Sequence, residues 1–279
     1  MAFRIAQISD AHLSPRVTLF EGNFDRVAEE IRAARPDLMI ATGDLSLDGA
    51  DRDEDLIHAR DRHAAIGADW VAVPGNHDVG DEPLLGAKQP SSAERVARWT
   101  RILGTYGFVR DVPGWRVIGF DTQSLHSAPG QWAAIEAAVR GAGARRIALF
   151  QHKPLCEDRL TDARRNYWPV LPEFRSRLLA LFAGGGPALV ASGHVHQWWD
   201  RGVVDGIRQL WAPPTSFIIG PDFQWGYGER LLGWVEHLLH PDGTHEARLR
   251  QTPGLVPHDL GLMPEIYGAQ RPAASPAGA

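Results

Sequence analysis

The chain has a single cysteine, Cys156, so no internal disulfide can form. A nucleophilic role needs a paired base, so Cys156 reads as a small buried or surface thiol. Long apolar runs are missing, and none approaches the length of a membrane span. Met1 to Asp10 runs straight into a strand pattern without a charged leader, so no signal peptide is expected and a cytoplasmic location is. Surplus positive charge is also missing. Lys and Arg number 29 against 34 Asp and Glu, a net charge of -5. Non-specific binding of nucleic acid needs a concentrated basic face, so neither a nucleic-acid polymer nor a membrane is an expected partner. No internal repeat is visible. What remains is ordinary in bulk: 44% hydrophobic and 23% charged residues over 279 positions. That suits one large α/β domain or two small ones. Part of the acidity would be neutralised if carboxylates gather around metal ions.

The pattern alternates strand and helix. Apolar runs at Phe3 to Ile8, Leu38 to Ala41, Trp70 to Val73, Trp115 to Phe120, Arg146 to Phe150 and Pro187 to Ala191 read as strands. Asn23 reads as the N-cap of a helix carrying Phe24, Val27, Ile31 and Ala34, stopped by Pro36. Further helices are expected over Arg52 to Ile66, from Ser92 with Val96, Trp99 and Leu103 inward, over Gln131 to Arg140 and over Glu173 to Phe182. These βαβ units imply a largely parallel sheet. Later segments rich in Trp, Gly and Pro (Trp198 to Val204, Ile207 to Trp211, Phe217 to Ile219, Leu231 to Leu239) imply hairpins and a second, more antiparallel sheet. The expected organisation is a domain over 1–250 and a Pro-rich extension over 251–279, with Arg271 to Ala279 a disordered tail.

The chemistry is marked by position. Asp10 and His12, Gly43-Asp44, Gly75-Asn76-His77-Asp78, His152, and Gly193-His194-Val195-His196 all fall just past the ends of expected strands. In open α/β sheets, loops at those ends converge on ligands. Imidazole and carboxylate suit Fe, Mn, Zn or Co. Asp10 and His12 lie two apart, as do His194 and His196, and in an extended segment such pairs point the same way. Seven donors suit two ions, and Asp44, alone after a glycine, is the candidate bridge. Two divalent ions clamp a phosphoryl group and lower the pKa of a water between them. Other histidines (His58, His63, His126, His237, His240, His245, His258) read as ordinary polar residues.

The ordered series Asp10-x-His12, Gly43-Asp44, Gly75-Asn76-His77-Asp78, His152, Gly193-His194-x-His196 resembles the calcineurin-like metallophosphoesterase superfamily, over roughly residues 3 to 220. No donor position is missing, which favours an enzyme over a scaffold on the same fold. The resemblance implies a four-layer αββα sandwich of two mixed sheets flanked by helices. It implies two divalent or mixed-valence ions: Asp10, His12 and His196 on the first, Asn76, His152 and His194 on the second, Asp44 between them. His77 would act on the ester, and Asp78 would orient His77. Length and spacing are similar to the class III cyclic-nucleotide phosphodiesterase and glycerophosphodiesterase branch. That implies hydrolysis of a small phosphodiester by a metal-bridging hydroxide, and in some members a homo-oligomer. A phosphomonoesterase of the same superfamily is the alternative.

Residues 153 to 171 form a long polar insertion after His152, with Arg159, Arg164, Arg165, Asn166, Tyr167 and Trp168. They read either as a lid that selects substrate or as a solvated loop with one docked Trp. Trp198 and Trp199 read as pocket rim or as core, and the Gly80 to Pro90 loop as a border of the site.

Overall fold

Strand-length apolar runs separated by amphipathic helices fix the architecture, seen in a computed structural model that describes residues 1–182 and 186–269. The expected tail Arg271 to Ala279 lies outside those residues. In chain order the elements are β1 (Phe3–Ile8), α1 (Glu21–Ala34), β2 (Leu38–Thr42), α2 (Asp53–Ala64), β3 (Trp70–Val73), α3 (Asn76–Val79), α4 (Ala93–Leu103), β4 (Phe108–Val112) and β5 (Trp115–Gly119). There follow α5 (Pro129–Arg140), β6 (Arg146–Phe150), α6 (Pro172–Leu179), β7 (Leu189–Ser192), β8 (Trp199–Val204), β9 (Ile207–Trp211), β10 (Phe217–Ile218), β11 (Trp234–Leu239), β12 (His245–Arg250), β13 (His258–Asp259) and α7 (Pro264–Tyr267).

Among the described residues there are two large sheets, ordered β12-β11-β1-β2-β3 and β4-β5-β6-β7-β9-β8. Each has parallel strands at its centre and antiparallel strands at an edge. The late hairpins therefore do not make a sheet of their own, contrary to the expectation. β11 and β12 extend the open edge beside β1, while β8 and β9 extend the sheet beyond β7. An edge left by βαβ units exposes unpaired N–H and C=O groups, and an antiparallel hairpin covers it.

The sheets pack face to face through Ile5, Ile40, Val73, Trp115, Val117 and Phe150, all buried. Phe24, Val27, Ile31, Leu56 and Trp99 of α1, α2 and α4 cover the outer face of the first sheet. Trp132 and Ile135 of α5 and Leu178 of α6 cover the second. This is the four-layer αββα sandwich. Asn23 is not a cap: α1 starts two residues earlier, and the Asn23 amide donates to the carbonyls of Ser216 and Val256 and accepts from Val256 N–H. Ser92 is a cap, its Oγ accepting from Arg95 N–H.

A candidate dinuclear metal centre

Every singled-out residue stands just past the end of a parallel strand. Asp10 and His12 follow β1, Asp44 follows β2, Asn76 follows β3, His152 follows β6, and His194 and His196 follow β7. The first four come from one sheet and the last three from the other. The crossing loops are tied in register: Asp10 N–H donates to Gly43 O, His12 N–H to Asp44 O, and Gly193 N–H to His152 O. The backbone differs from the expectation in one respect. Asp10, His12, His194 and His196 are not extended but left-handed, with φ of 54°, 47°, 69° and 55°. Ala11 and Val195 point into the core between them, so each pair reaches the site by a turn rather than by strand alternation.

The donor atoms fall into two groups. In the first, His12 Nε2 lies 3.4 Å from His196 Nε2 and 3.7 Å from Asp44 Oδ2, and His196 Nε2 lies 3.4 Å from Asp10 Oδ1. In the second, His152 Nε2 lies 3.1 Å from Asn76 Oδ1, 3.1 Å from His194 Nδ1 and 3.4 Å from Asp44 Oδ2. Asp44 Oδ2 belongs to both. Metal bonds of about 2.1 Å place neighbouring ligand atoms about 3.0–3.5 Å apart, so these spacings fit an ion in each group. His77 also stands near His12 and Asp44, close enough to form a third grouping.

Hydrogen bonding fixes which ring atoms face inward. His152 Nδ1 is 2.8 Å from Thr42 O and His196 Nδ1 is 2.8 Å from Phe217 O. Each carbonyl can only accept, so each neutral ring keeps its hydrogen there and turns the Nε2 lone pair to the group. His194 Nε2 faces the Tyr167 carbonyl at 3.4 Å, which leaves its Nδ1 lone pair inward. The second group is then four acceptors with no hydrogen among them. Such a set fits a cation. Without one, the buried carboxylates draw a proton. Burial opposes charging His152, but Asp44 overrides it and raises the imidazole to about 9. Burial keeps His12 and His194 well below the usual histidine range, hence neutral as metal ligands must be.

Asp78 corrects one expectation. Its carboxylate accepts from the N–H groups of Leu45 (3.2 Å), Ser46 (3.0 Å) and Gly75 (2.9 Å) and from Ser46 Oγ (2.6 Å). It ties together the two loops that present Asp44 and Asn76, and the Leu47 carbonyl, 2.7 Å from His77 Nδ1, orients His77 instead. The reason is placement: in the short helix α3, successive residues face different ways. Burial, then the nearby Asp44 charge, raises Asp78 to about 6.

Five of the donors, His12, Asp44, Asn76, His194 and His196, line a cavity of about 800 Å³. His77 and the Gly80 to Pro90 loop (Asp81, Glu82, Leu85, Lys88, Gln89) form one side, as expected for that loop. Phe217, Ile219, Phe223, Leu260 and Tyr267 form an apolar side that the sequence reading missed. They come from the C-terminal third, where β13 pairs with β10 and long-range bonds such as Ser216 N–H to Asp10 O bring the segment to the site. Of the 153 to 171 loop, Tyr167 and Trp168 line the cavity. Its arginines turn outward: Arg159 pairs with Asp205, Arg164 with Asp162, and Arg165 with Glu173. Trp198 packs on Leu210 and Val235, and Trp199 on Trp211 and Tyr227, so neither lines the cavity.

Fold and site together define a metal-dependent phosphoester hydrolase with a dinuclear centre. The chain belongs to the calcineurin-like phosphoesterase family, whose sequence pattern matches residues 3–198. It is similar to a probable cyclic nucleotide phosphodiesterase of Synechococcus sp., 26% identical over 274 residues, 89% of this chain and 92% of that one. It is also similar to the 3',5'-cyclic adenosine monophosphate phosphodiesterase CpdA of Pseudomonas aeruginosa, 28% identical over 273 residues, 90% of this chain and 91% of that one. In fold it resembles a dimetal phosphatase from Danio rerio, with a TM-score of 0.60 at 14% identity, covering 90% of this chain and 96% of that one. Among the described residues no helix is long and apolar enough to cross a membrane.

Proposed function

We propose that the chain hydrolyses small phosphodiesters of the cyclic-nucleotide or glycerophosphodiester type. Asp10, His12 and His196 would hold one ion, Asn76, His152 and His194 the other, and Asp44 both. The observation that carries the metal reading is the convergence of His194 Nδ1, Asp44 Oδ2 and Asn76 Oδ1 within 3.4 Å of His152 Nε2, with the opposite ring nitrogen of each histidine facing a main-chain carbonyl. Ions held there would supply Lewis acidity toward the phosphoryl oxygens and make a water acidic enough to attack at neutral pH. Imidazole, carboxylate and amide donors accept Fe, Mn, Zn or Co alike.

The chain's own residues do the rest. His77 lines the cavity with Nδ1 bound to Leu47 O, which leaves Nε2 for the ester; with both ring nitrogens protonated it would donate to a departing alkoxide. The apolar side, with Phe217, Phe223 and Tyr267, offers flat surface to a base-like group. The charge of the walls favours a diester. Lys88 is the lysine among the lining residues, Lys153 is spent on Asp81, and Asp81 and Glu82 border the cavity. A monoester dianion would meet those carboxylates with one more negative charge than a diester. The relatives named as cyclic nucleotide phosphodiesterases support the same choice.

Purified protein supplied with Mn(II) should hydrolyse bis(p-nitrophenyl) phosphate, and a chelator should stop it. The kcat/KM for this diester should exceed that for p-nitrophenyl phosphate by about tenfold, a barrier difference of about 1.4 kcal/mol. The opposite ratio would overturn the diester reading. Failure with all of Mn, Fe, Zn and Co would overturn the reading as a hydrolase of these esters.

A further inference from the structure

Tyr167 touches two residues of the second donor group, and Lys153 touches the Tyr167 ring. We propose that Tyr167 is a positioning residue for Asn76 and His194, and that the ion pair between buried Lys153 and partly exposed Asp81 is the brace that holds it there. The inference rests on the two-metal reading.

Tyr167 reaches two donors at once. Its hydroxyl oxygen lies 3.3 Å from Asn76 Nδ2 and accepts from it. An amide that turns Oδ1 toward a cation sends its N–H bonds the other way, and Tyr167 stands where one of them lands. The Tyr167 main-chain carbonyl lies 3.4 Å from His194 Nε2. That contact keeps the ring hydrogen on Nε2 and the Nδ1 lone pair on the donor group. The Tyr167 ring also packs on the His194 ring, with centroids 4.8 Å apart. Partners of this kind orient metal ligands and raise their basicity.

Lys153 explains why Tyr167 stays. It directly follows His152 and is only 2% exposed. A buried ammonium persists only when paired. Its Nζ lies 2.8 Å from Asp81 Oδ1 and 5.0 Å from the centre of the Tyr167 ring, a cation–π contact. Asp81 is fixed in its own loop, its N–H donating to Gln89 O and its carbonyl accepting from Ser91 N–H, each at 2.7 Å. The ion pair therefore joins the loop after β3 to the loop after β6, and Tyr167 rests on the junction. A Tyr that was merely a solvated loop residue would need neither the buried ammonium nor the two donor contacts.

Cobalt(II) titration tests this, with the d–d absorption bands reporting each equivalent without any turnover. The metal-free parent should bind two equivalents. Tyr167→Phe keeps the ring and the carbonyl but loses the acceptor for Asn76. One of its two equivalents should weaken by about tenfold, the low end for loss of an outer hydrogen bond to a ligand. The double variant Lys153→Met/Asp81→Asn removes both charges, so no lone buried ion remains. Both supports then shift, and the same equivalent should weaken toward a hundredfold while the other is unchanged. Thermal melting of the metal-free proteins checks that each variant folds. If both variants bind two equivalents with the parent's affinities, the proposal is wrong. A parent that binds fewer than two would instead overturn the two-metal reading, so the two failures are distinguishable.

Discussion

Five of the seven proposed donor residues sit in backbone that side chains rarely adopt. Asp10, His12, Asp44, His194 and His196 have positive φ, between 47° and 69°. Each such residue costs about 1–3 kcal/mol, a strain that clusters where function requires a fixed geometry. The cost is met by tertiary bonds that hold the turns, such as Ser216 Oγ and Ser216 N–H donating to Asp10 O. Strain of this kind is invisible in the sequence. The identities of the donors are visible, because Gly-Asn-His-Asp and Gly-His-x-His exceed what turns require. His77 belongs to the same scale. If it protonates the leaving group, His77→Ala should slow an alkyl diester by about 100-fold or more. It should slow bis(p-nitrophenyl) phosphate far less, since p-nitrophenolate leaves unprotonated. Equal losses of kcat on the two substrates would remove His77 from that role.

Elements were legible where burial is continuous. β1, β3, β6 and β9 begin and end where the apolar runs do. β4 and β12 were missed for a common reason. β4 buries only Phe108 and Val112 around three exposed residues, and β12 reads His-Glu-Ala-Arg-Leu-Arg along a sheet edge. Edge strands carry charge that hides their pattern. Asn23 misled in the opposite way, because its amide serves residues far along the chain rather than the helix beside it. The strand-end loops pass so close that a glycine is needed at their crossing. A Cβ on Gly75 would overlap the Asp44 carboxylate. Gly75→Ala should therefore displace Asp44, and a shift of about 1 Å at a reacting centre costs about 100-fold in rate. Circular dichroism and bound metal should separate the effects: native secondary structure with depleted metal is expected, and full metal content would contradict the account.

Across the whole molecule, the donors divide between the two sheets. Asp10, His12, Asp44 and Asn76 follow strands of one sheet, and His152, His194 and His196 follow strands of the other. The site exists only because those sheets stack through the buried layer around Trp115 and Phe150. The sequence shows seven residues at five strand ends but not that the ends belong to two sheets. Nor does it show that the C-terminal third supplies a wall. Whether these seven residues form two ion sites sharing Asp44 is decided by counting metal in protein reconstituted with Mn(II) and desalted, alongside His152→Ala and Asp44→Ala. The parent should hold two ions per chain, His152→Ala one, since its first group is intact, and Asp44→Ala none. A parent holding one ion or fewer, or a His152→Ala variant still holding two, would contradict that arrangement.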